Sequence, residues 1–154
     1  MSDAPRILAF AGSLRKGSHN RKILLVAADG ARAAGGDVTR IDLRDFPLPA
    51  YDADLEEEAG LPASATELKA LFDGADGLLL ACPEYNGGIA GPLKNVLDWV
   101  SRPATGERPL QAFRGKVAAL CSASTGGLGG VRGLAQMRLV LATVGAVVLP
   151  EQVS

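Results

Sequence analysis

Histidine occurs once in this chain, at His19, and cysteine twice, at Cys82 and Cys121. A lone imidazole makes no Ser-His-Asp arrangement and no HxxxH spacing, which disfavours hydrolysis by a nucleophilic triad or by zinc. Two cysteines make no disulfide framework. Both stand at the ends of expected buried strands, where inert packing is the favoured reading, and no metal site is expected without a nearby histidine. An excess of one charge is also missing. Sixteen Lys and Arg face 17 Asp and Glu, a formal net charge of −1, which leaves no electrostatic footprint for nucleic acid or an anionic membrane. No apolar run approaches the length of a membrane span. Met1-Ser2-Asp3-Ala4-Pro5 lacks the charged and apolar regions of a secretory signal, so a cytoplasmic protein is expected. Aromatics are 5% of residues against 47% hydrophobic in all, so the core must come from Ala, Val and Leu. The 154 residues suffice for one domain, 1–154, with a sizeable core. Neither repeats nor low-complexity segments are evident.

What is present centres on Gly12-Ser13-Leu14-Arg15-Lys16-Gly17-Ser18-His19-Asn20. An apolar run, residues 7–11, leads in, and a helical pattern from about Ser18 to Ala34 leads out. A strand, a Gly-containing turn and a helix collect free backbone N–H groups at one spot, where the helix dipole favours negative charge. Ser13, Ser18 and Asn20 add hydrogen-bond donors, and Arg15 a bidentate cation. This chemistry suits a phosphate. The Gly12-to-Gly17 spacing imitates a Walker A loop, but Ser18-His19 replaces its Lys-Ser/Thr, which disfavours a nucleoside triphosphate. Leu14 breaks the G-x-G-x-x-G pattern of dinucleotide folds. A terminal monophosphate fits better; the simpler alternative is a βα turn capped by Ser18. His19 either assists a phosphate or is a solvated or capping residue.

Along the chain, five strands are expected near residues 6–11, 38–43, 77–82, 116–121 and 146–149. The first helix is expected to bury Ile23, Ala27, Ala31 and Ala34, with Gly35-Gly36 ending it. Residues 44–62, with three prolines and the acidic cluster 52–58, read as a surface loop. Ser64-Ala65-Thr66-Glu67 has the form of a capping box, opening a helix that turns Leu68, Leu71 and Phe72 inward. Pro92 suits a first helical position, ahead of the amphipathic series Leu93, Val96, Leu97 and Val100. Residues 102–115 read as loop, and Leu134, Met137, Leu141 and Val144 mark one face of a last helix. Strands alternating with helices argue for a three-layer α/β/α sandwich around a five-stranded parallel sheet of order 2-1-3-4-5. Long loops follow the first, third and fourth strands, which are neighbours at the switch point of that sheet.

The second loop, Pro83-Glu84-Tyr85-Asn86-Gly87-Gly88, offers a wall and N–H groups for a flat heteroaromatic ring, or else is a turn with Asn86-Gly87 at positive φ. The third, Ser122-Ala123-Ser124-Thr125-Gly126-Gly127, lets backbone approach a ligand closely, or else is simply flexible. Glu84 is the only carboxylate in the three loops, so no general acid–base pair assembles there and no catalytic side chain is assigned. A cofactor is left to do the chemistry.

These segments, together with Leu93-Lys94-Asn95 and Asp98-Trp99, resemble the NADPH-dependent FMN reductase family, whose flavodoxin-like relatives include quinone, chromate and azo-dye reductases. The resemblance spans about residues 6–150. It implies a flavodoxin-like fold, bound FMN, NADPH (with NADH as the other nicotinamide) as reductant, a small-molecule electron acceptor, and a homodimer or homotetramer. It implies that Ser13, Arg15, Ser18, His19 and Asn20 hold the FMN phosphate and that Pro83, Glu84, Tyr85, Asn86 and Gly87 line the ring. Ser122, Ala123, Ser124, Gly126 and Gly127 would close the other side. Arg15 and Lys16 are candidates for the extra phosphate of NADPH. Two departures stand out: Ala90 replaces a usual proline, and members usually continue some two dozen residues further into a last helix. The alternative is a flavodoxin-type carrier that makes no direct use of NAD(P)H, although such carriers tend to be strongly acidic.

Overall fold

The computed structural model describes residues 4–154. In chain order it contains β1 (Arg6–Ala11), α1 (His19–Ala33), β2 (Asp37–Arg40), a 3₁₀ turn (Leu43–Asp45), α2 (Ala53–Ala59), α3 (Ala63–Asp73) and β3 (Gly77–Ala81). There follow β4 (Glu84–Tyr85), β5 (Gly88–Ile89), α4 (Gly91–Val100), β6 (Val117–Cys121), α5 (Val131–Thr143) and β7 (Val147–Val153). The long strands form one parallel sheet of order β2-β1-β3-β6-β7. With the β4–β5 hairpin set aside, that is the expected 2-1-3-4-5.

Side-chain alternation along the strands decides the layers. Leu8 and Phe10 of β1, with Leu78 and Leu80 of β3, join Leu68 and Phe72 of α3, Val96 and Leu97 of α4, and Leu134 and Met137 of α5. The intervening Ala9, Ala11, Leu79 and Ala81 meet Leu24 and Ala28 of α1. Small residues let α1 lie close to the sheet, whereas the opposite layer takes Phe10, Phe72 and Phe113 in a chain of tilted ring contacts. On the α1 side the sheet is covered unevenly. Val117, Val147 and Leu149 are exposed there.

Several local expectations need correction. The buried line of α1 is Asn20, Leu24 and Ala28; Ile23, Ala27 and Ala31 flank it, and Ala34 is exposed. The expected loop 44–62 holds α2, because Asp52 caps it through Asp54 N and Glu56 accepts from Arg102 Nε and Tyr51 Oη. The second strand stops at Arg40, and the chain turns through Leu43–Asp45, capped by Asp42. Ser64 caps nothing: α3 starts at Ala63, and the Pro62 carbonyl accepts from Ala65 N and Thr66 N. Pro92 is the second residue of α4, not the first. The last strand runs on to Val153 through an irregularity opposite Ala118–Leu120.

Candidate functional site

The three long loops leave the C-terminal ends of the adjacent strands β1, β3 and β6, and hydrogen bonds tie their roots together. Gly12 N donates to Ala81 O at 2.9 Å, and Cys82 N to Cys121 O at 2.8 Å. Ser122 Oγ donates to Cys82 O at 2.7 Å. Asn20, buried at the start of α1, clasps the third loop with both halves of its amide. Nδ2 donates to Ala123 O at 2.9 Å, and Oδ1 accepts from Ala123 N at 3.1 Å. Parallel pairing thus carries local loop chemistry to one rim.

In the first loop, Ser13 and Ser18 are buried and their hydroxyls accept from Arg15 N and Asn20 N. Ser18 is therefore the N-cap of α1. Among the described residues, the N–H groups of Leu14, Lys16, Gly17 and His19 have no protein acceptor. The side chains of Arg15 and His19 are exposed. Gly12 is needed for close approach: a Cβ there would lie 2.6 Å from Leu93 Cβ.

The second loop is a hairpin, with Glu84 opposite Ile89 and Tyr85 opposite Gly88. Its turn residues Asn86 and Gly87 have φ of 52° and 78°. Pro83 is buried at its base, and Tyr85 and Asn86 are exposed at its tip. The Glu84 carboxylate faces the start of α5. It accepts from Arg132 N at 3.0 Å and Gly133 N at 3.1 Å, and it pairs with the Arg132 guanidinium. The Arg132 hydrogen bond, followed by that from Gly133 N, holds this acid below the usual carboxylate range.

In the third loop, Ser122 is buried and Ala123 partly so, while Ser124, Gly126 and Gly127 are exposed. Ser124 Oγ closes a small arch by bonding Gly126. Burial raises the Cys82 thiol, with Cys121 adding to the effect, and pushes Cys121 up to about 11. Both therefore stay protonated near neutrality. Among the described residues, no group of three or more His, Cys, Asp or Glu side chains is placed to hold a metal ion.

Residues 5–154 match the family described as NADPH-dependent FMN reductase. The chain belongs to this family. It is 35% identical over 149 residues to a quinone reductase of Escherichia coli K12, covering 97% of this chain and 76% of that one. It is 39% identical over 141 residues to an NAD(P)H-dependent FMN reductase of Pseudomonas aeruginosa, covering 92% and 71%. Among solved structures, FerB, a flavoenzyme NAD(P)H:(acceptor) oxidoreductase from Paracoccus denitrificans, superposes with a TM-score of 0.79 at 33% identity. The match covers 97% of this chain and 78% of that one. The fold is thus the flavodoxin-like α/β sandwich of this reductase family.

A cavity of about 840 Å³ in this family member lies away from the three-loop rim. It lies between the 43–51 segment and α4, lined by Phe46, Pro47, Leu48, Tyr51 and Pro92, and shares only Leu14 with the loops discussed above. Asn95 and Trp99 shape it. Asn95 Nδ2 and Trp99 Nε1 both donate to Pro49 O, and Asn95 Oδ1 accepts from Tyr51 N. Arg132 and Gln136 were not singled out in the sequence, yet they fasten the hairpin. Gln136 Nε2 donates to Gly87 O at 3.0 Å. Their signal was their i, i+4 spacing on the face of α5 away from Leu134, Met137 and Leu141.

Proposed function

We propose that this chain is an FMN-dependent NAD(P)H oxidoreductase that passes two electrons from a nicotinamide to a small acceptor such as a quinone, free flavin, chromate or azo compound. The carrying observation is the rim itself: Asn20 bridged to Ala123 and Ser122 to Cys82 make one surface of three loops. The first loop fits a phosphate because, among the described residues, Leu14, Lys16, Gly17 and His19 offer N–H groups without a protein acceptor, next to the exposed Arg15. Ser13, Ser18 and Asn20 would hold that loop in shape as much as touch the ligand. Tyr85, Asn86 and Gly87 would face the ring from the hairpin, with Pro83 beneath them, and Ser124, Gly126 and Gly127 from the third loop. Glu84 would act through position, holding the hairpin against α5. When bound, FMN supplies the redox chemistry that no side chain of the rim can. The protein orients the ring and presents backbone N–H groups to it.

A homodimer or homotetramer is part of this proposal, as is action in the cytoplasm. No helix among the described residues is long and apolar enough to cross a membrane. Light scattering of purified protein tests the assembly. The chemistry is tested by adding FMN, removing oxygen and titrating with NADPH. The flavin should be retained and then bleach rapidly. Protein that stays colourless after FMN addition would sink the proposal. Flavin that binds but resists both nicotinamides would instead favour a one-electron carrier, a reading the near-neutral charge disfavours.

A further inference from the structure

We propose that Gln136 is a positioning residue for the flavin reaction: from α5 it holds the turn of the β4–β5 hairpin, so that the backbone N–H groups of Asn86 and Gly87 stay aimed at the ring. The inference rests on the reductase reading above, which sets the ring against this hairpin. With only two facing residue pairs, Glu84–Ile89 and Tyr85–Gly88, the hairpin is too short to hold its own shape in water. Its turn residues Asn86 and Gly87 sit in the left-handed region, with φ of 52° and 78°. Among the described residues, the N–H groups of both have no protein acceptor.

The missing support comes from α5, at two levels. At the root, Glu84 caps the first turn of α5 through Arg132 N and Gly133 N, a role that Gly130, the N-cap, has no side chain to fill. At the tip, Gln136 Nε2 donates to Gly87 O at 3.0 Å, and Oε1 accepts from Ile89 N at 3.4 Å. One planar amide thereby restrains the peptide units 87–88 and 88–89, directly after the turn. Gln136 shares a face of α5 with Arg132 and Gly133, four and three residues before it. Close approach is built in on both sides. A Cβ at Gly133 would lie 3.3 Å from Glu84 Cβ, and one at Gly88 would lie 3.2 Å from Gln136 Oε1.

Alignment of the turn has a chemical consequence. Two electrons and a proton arrive as hydride from the nicotinamide, which leaves oxidised, and negative charge accumulates on the ring. N–H donors already aimed at that charge stabilise it without reorganising. A turn that swings by about 1 Å loses much of this benefit, since misplacements of that size cost an order of magnitude or more in rate. Gln136 is exposed, and its amide bonds only to the hairpin backbone. Its loss therefore removes the alignment and leaves the Glu84 anchor and the core intact.

The test uses FMN-loaded wild type and Gln136→Met, which keeps the length and helix preference of glutamine but makes neither bond. Gln136→Ala serves as a second variant that also lacks the bulk. Anaerobic dithionite titration against a reference dye reads the midpoint potential of the bound flavin, and stopped-flow mixing with NADPH reads its reduction rate. Both variants should lower the potential by about 30 mV, the equivalent of a tenfold weaker preference for the reduced form, and slow reduction about tenfold. FMN affinity should stay within about threefold of wild type by fluorescence titration. An unchanged potential in Gln136→Met overturns the proposal. If Gln136→Ala alone shifts it, bulk rather than hydrogen bonding is responsible, and the proposal falls too. Loss of FMN affinity and thermal stability at constant potential would make Gln136 merely structural, with the same consequence. Wild-type flavin that neither nicotinamide reduces refutes the reductase reading alone, because the dithionite titration still decides the role of Gln136. Wild type that retains no FMN refutes both.

Discussion

Glu84 looks like a ligand-facing acid in the sequence, yet its carboxylate is occupied by Arg132 N, Gly133 N and the Arg132 guanidinium. Its acidity is raised chiefly by the Arg132 hydrogen bond. A carboxyl whose folded value is depressed adds stability above the unfolded carboxylate range, and that stability is lost as pH falls through the folded value. Glu84→Gln should therefore flatten the acid limb of stability against pH, read by urea unfolding from neutral pH downwards; superimposable limbs would show that the pair contributes nothing. Ser18→Ala removes the acceptor for Asn20 N and should cost about 1 kcal/mol by the same unfolding assay. Arg15 is exposed and its side chain makes no ion pair among the described residues, so Arg15→Ala should leave stability within about 0.5 kcal/mol. The same change should weaken FMN binding about tenfold, as flavin fluorescence titration would show.

At the scale of elements, the structure separates what propensity settles from what packing overrides. The periodic series 93, 96, 97 and 100 is buried throughout, as its pattern requires. The capping-box pattern at Ser64 fails because a turn one step earlier already satisfies the first N–H groups from Pro62 O. The acidic run 52–58 becomes helical because Glu56 finds Arg102, 46 residues away, a partner no local window contains. The third loop depends on Gly130, with φ of 99°, where a Cβ would fall 2.0 Å from Ser122 Oγ. Gly130→Ala should cost more than about 2 kcal/mol in chemical denaturation and loosen the Ser122–Cys82 tie. Lys69, 4% exposed, joins α3 to the segment after α4 through Val100 O, Arg102 O and Glu107. Lys69→Ala strands those acceptors and should cost about 2–4 kcal/mol, an effect visible in the unfolding midpoint.

For the whole molecule, the doubly wound sheet sets the candidate site by topology. Order β2-β1-β3-β6-β7 makes neighbours of the strands that precede the three loops, and right-handed crossovers put the intervening helices on the faces, leaving the C-terminal edge open. A ligand that ties three loops together should stabilise the fold cooperatively. FMN at about a hundred times its Kd adds roughly 2.7 kcal/mol, or about 5–10 °C in Tm for a chain of this size. Riboflavin, which lacks the phosphate, should give a clearly smaller shift in differential scanning fluorimetry; equal shifts would remove the first loop from the site.

Strand order, the stripes of α3, α4 and α5 and the hydroxyl-rich loop at 12–20 were legible because periodicity, turn chemistry and backbone donors are properties of neighbours in sequence. Local chemistry also marked the loops proposed to take a phosphate and a ring. The diversion of Glu84 into capping α5, the grip of Asn20 on Ala123, and the hold of Gln136 on Gly87 belong to the tertiary structure. Each depends on strand register and layer packing that bring distant residues within hydrogen-bond or Coulomb range, and no local pattern encodes the identity of such a partner.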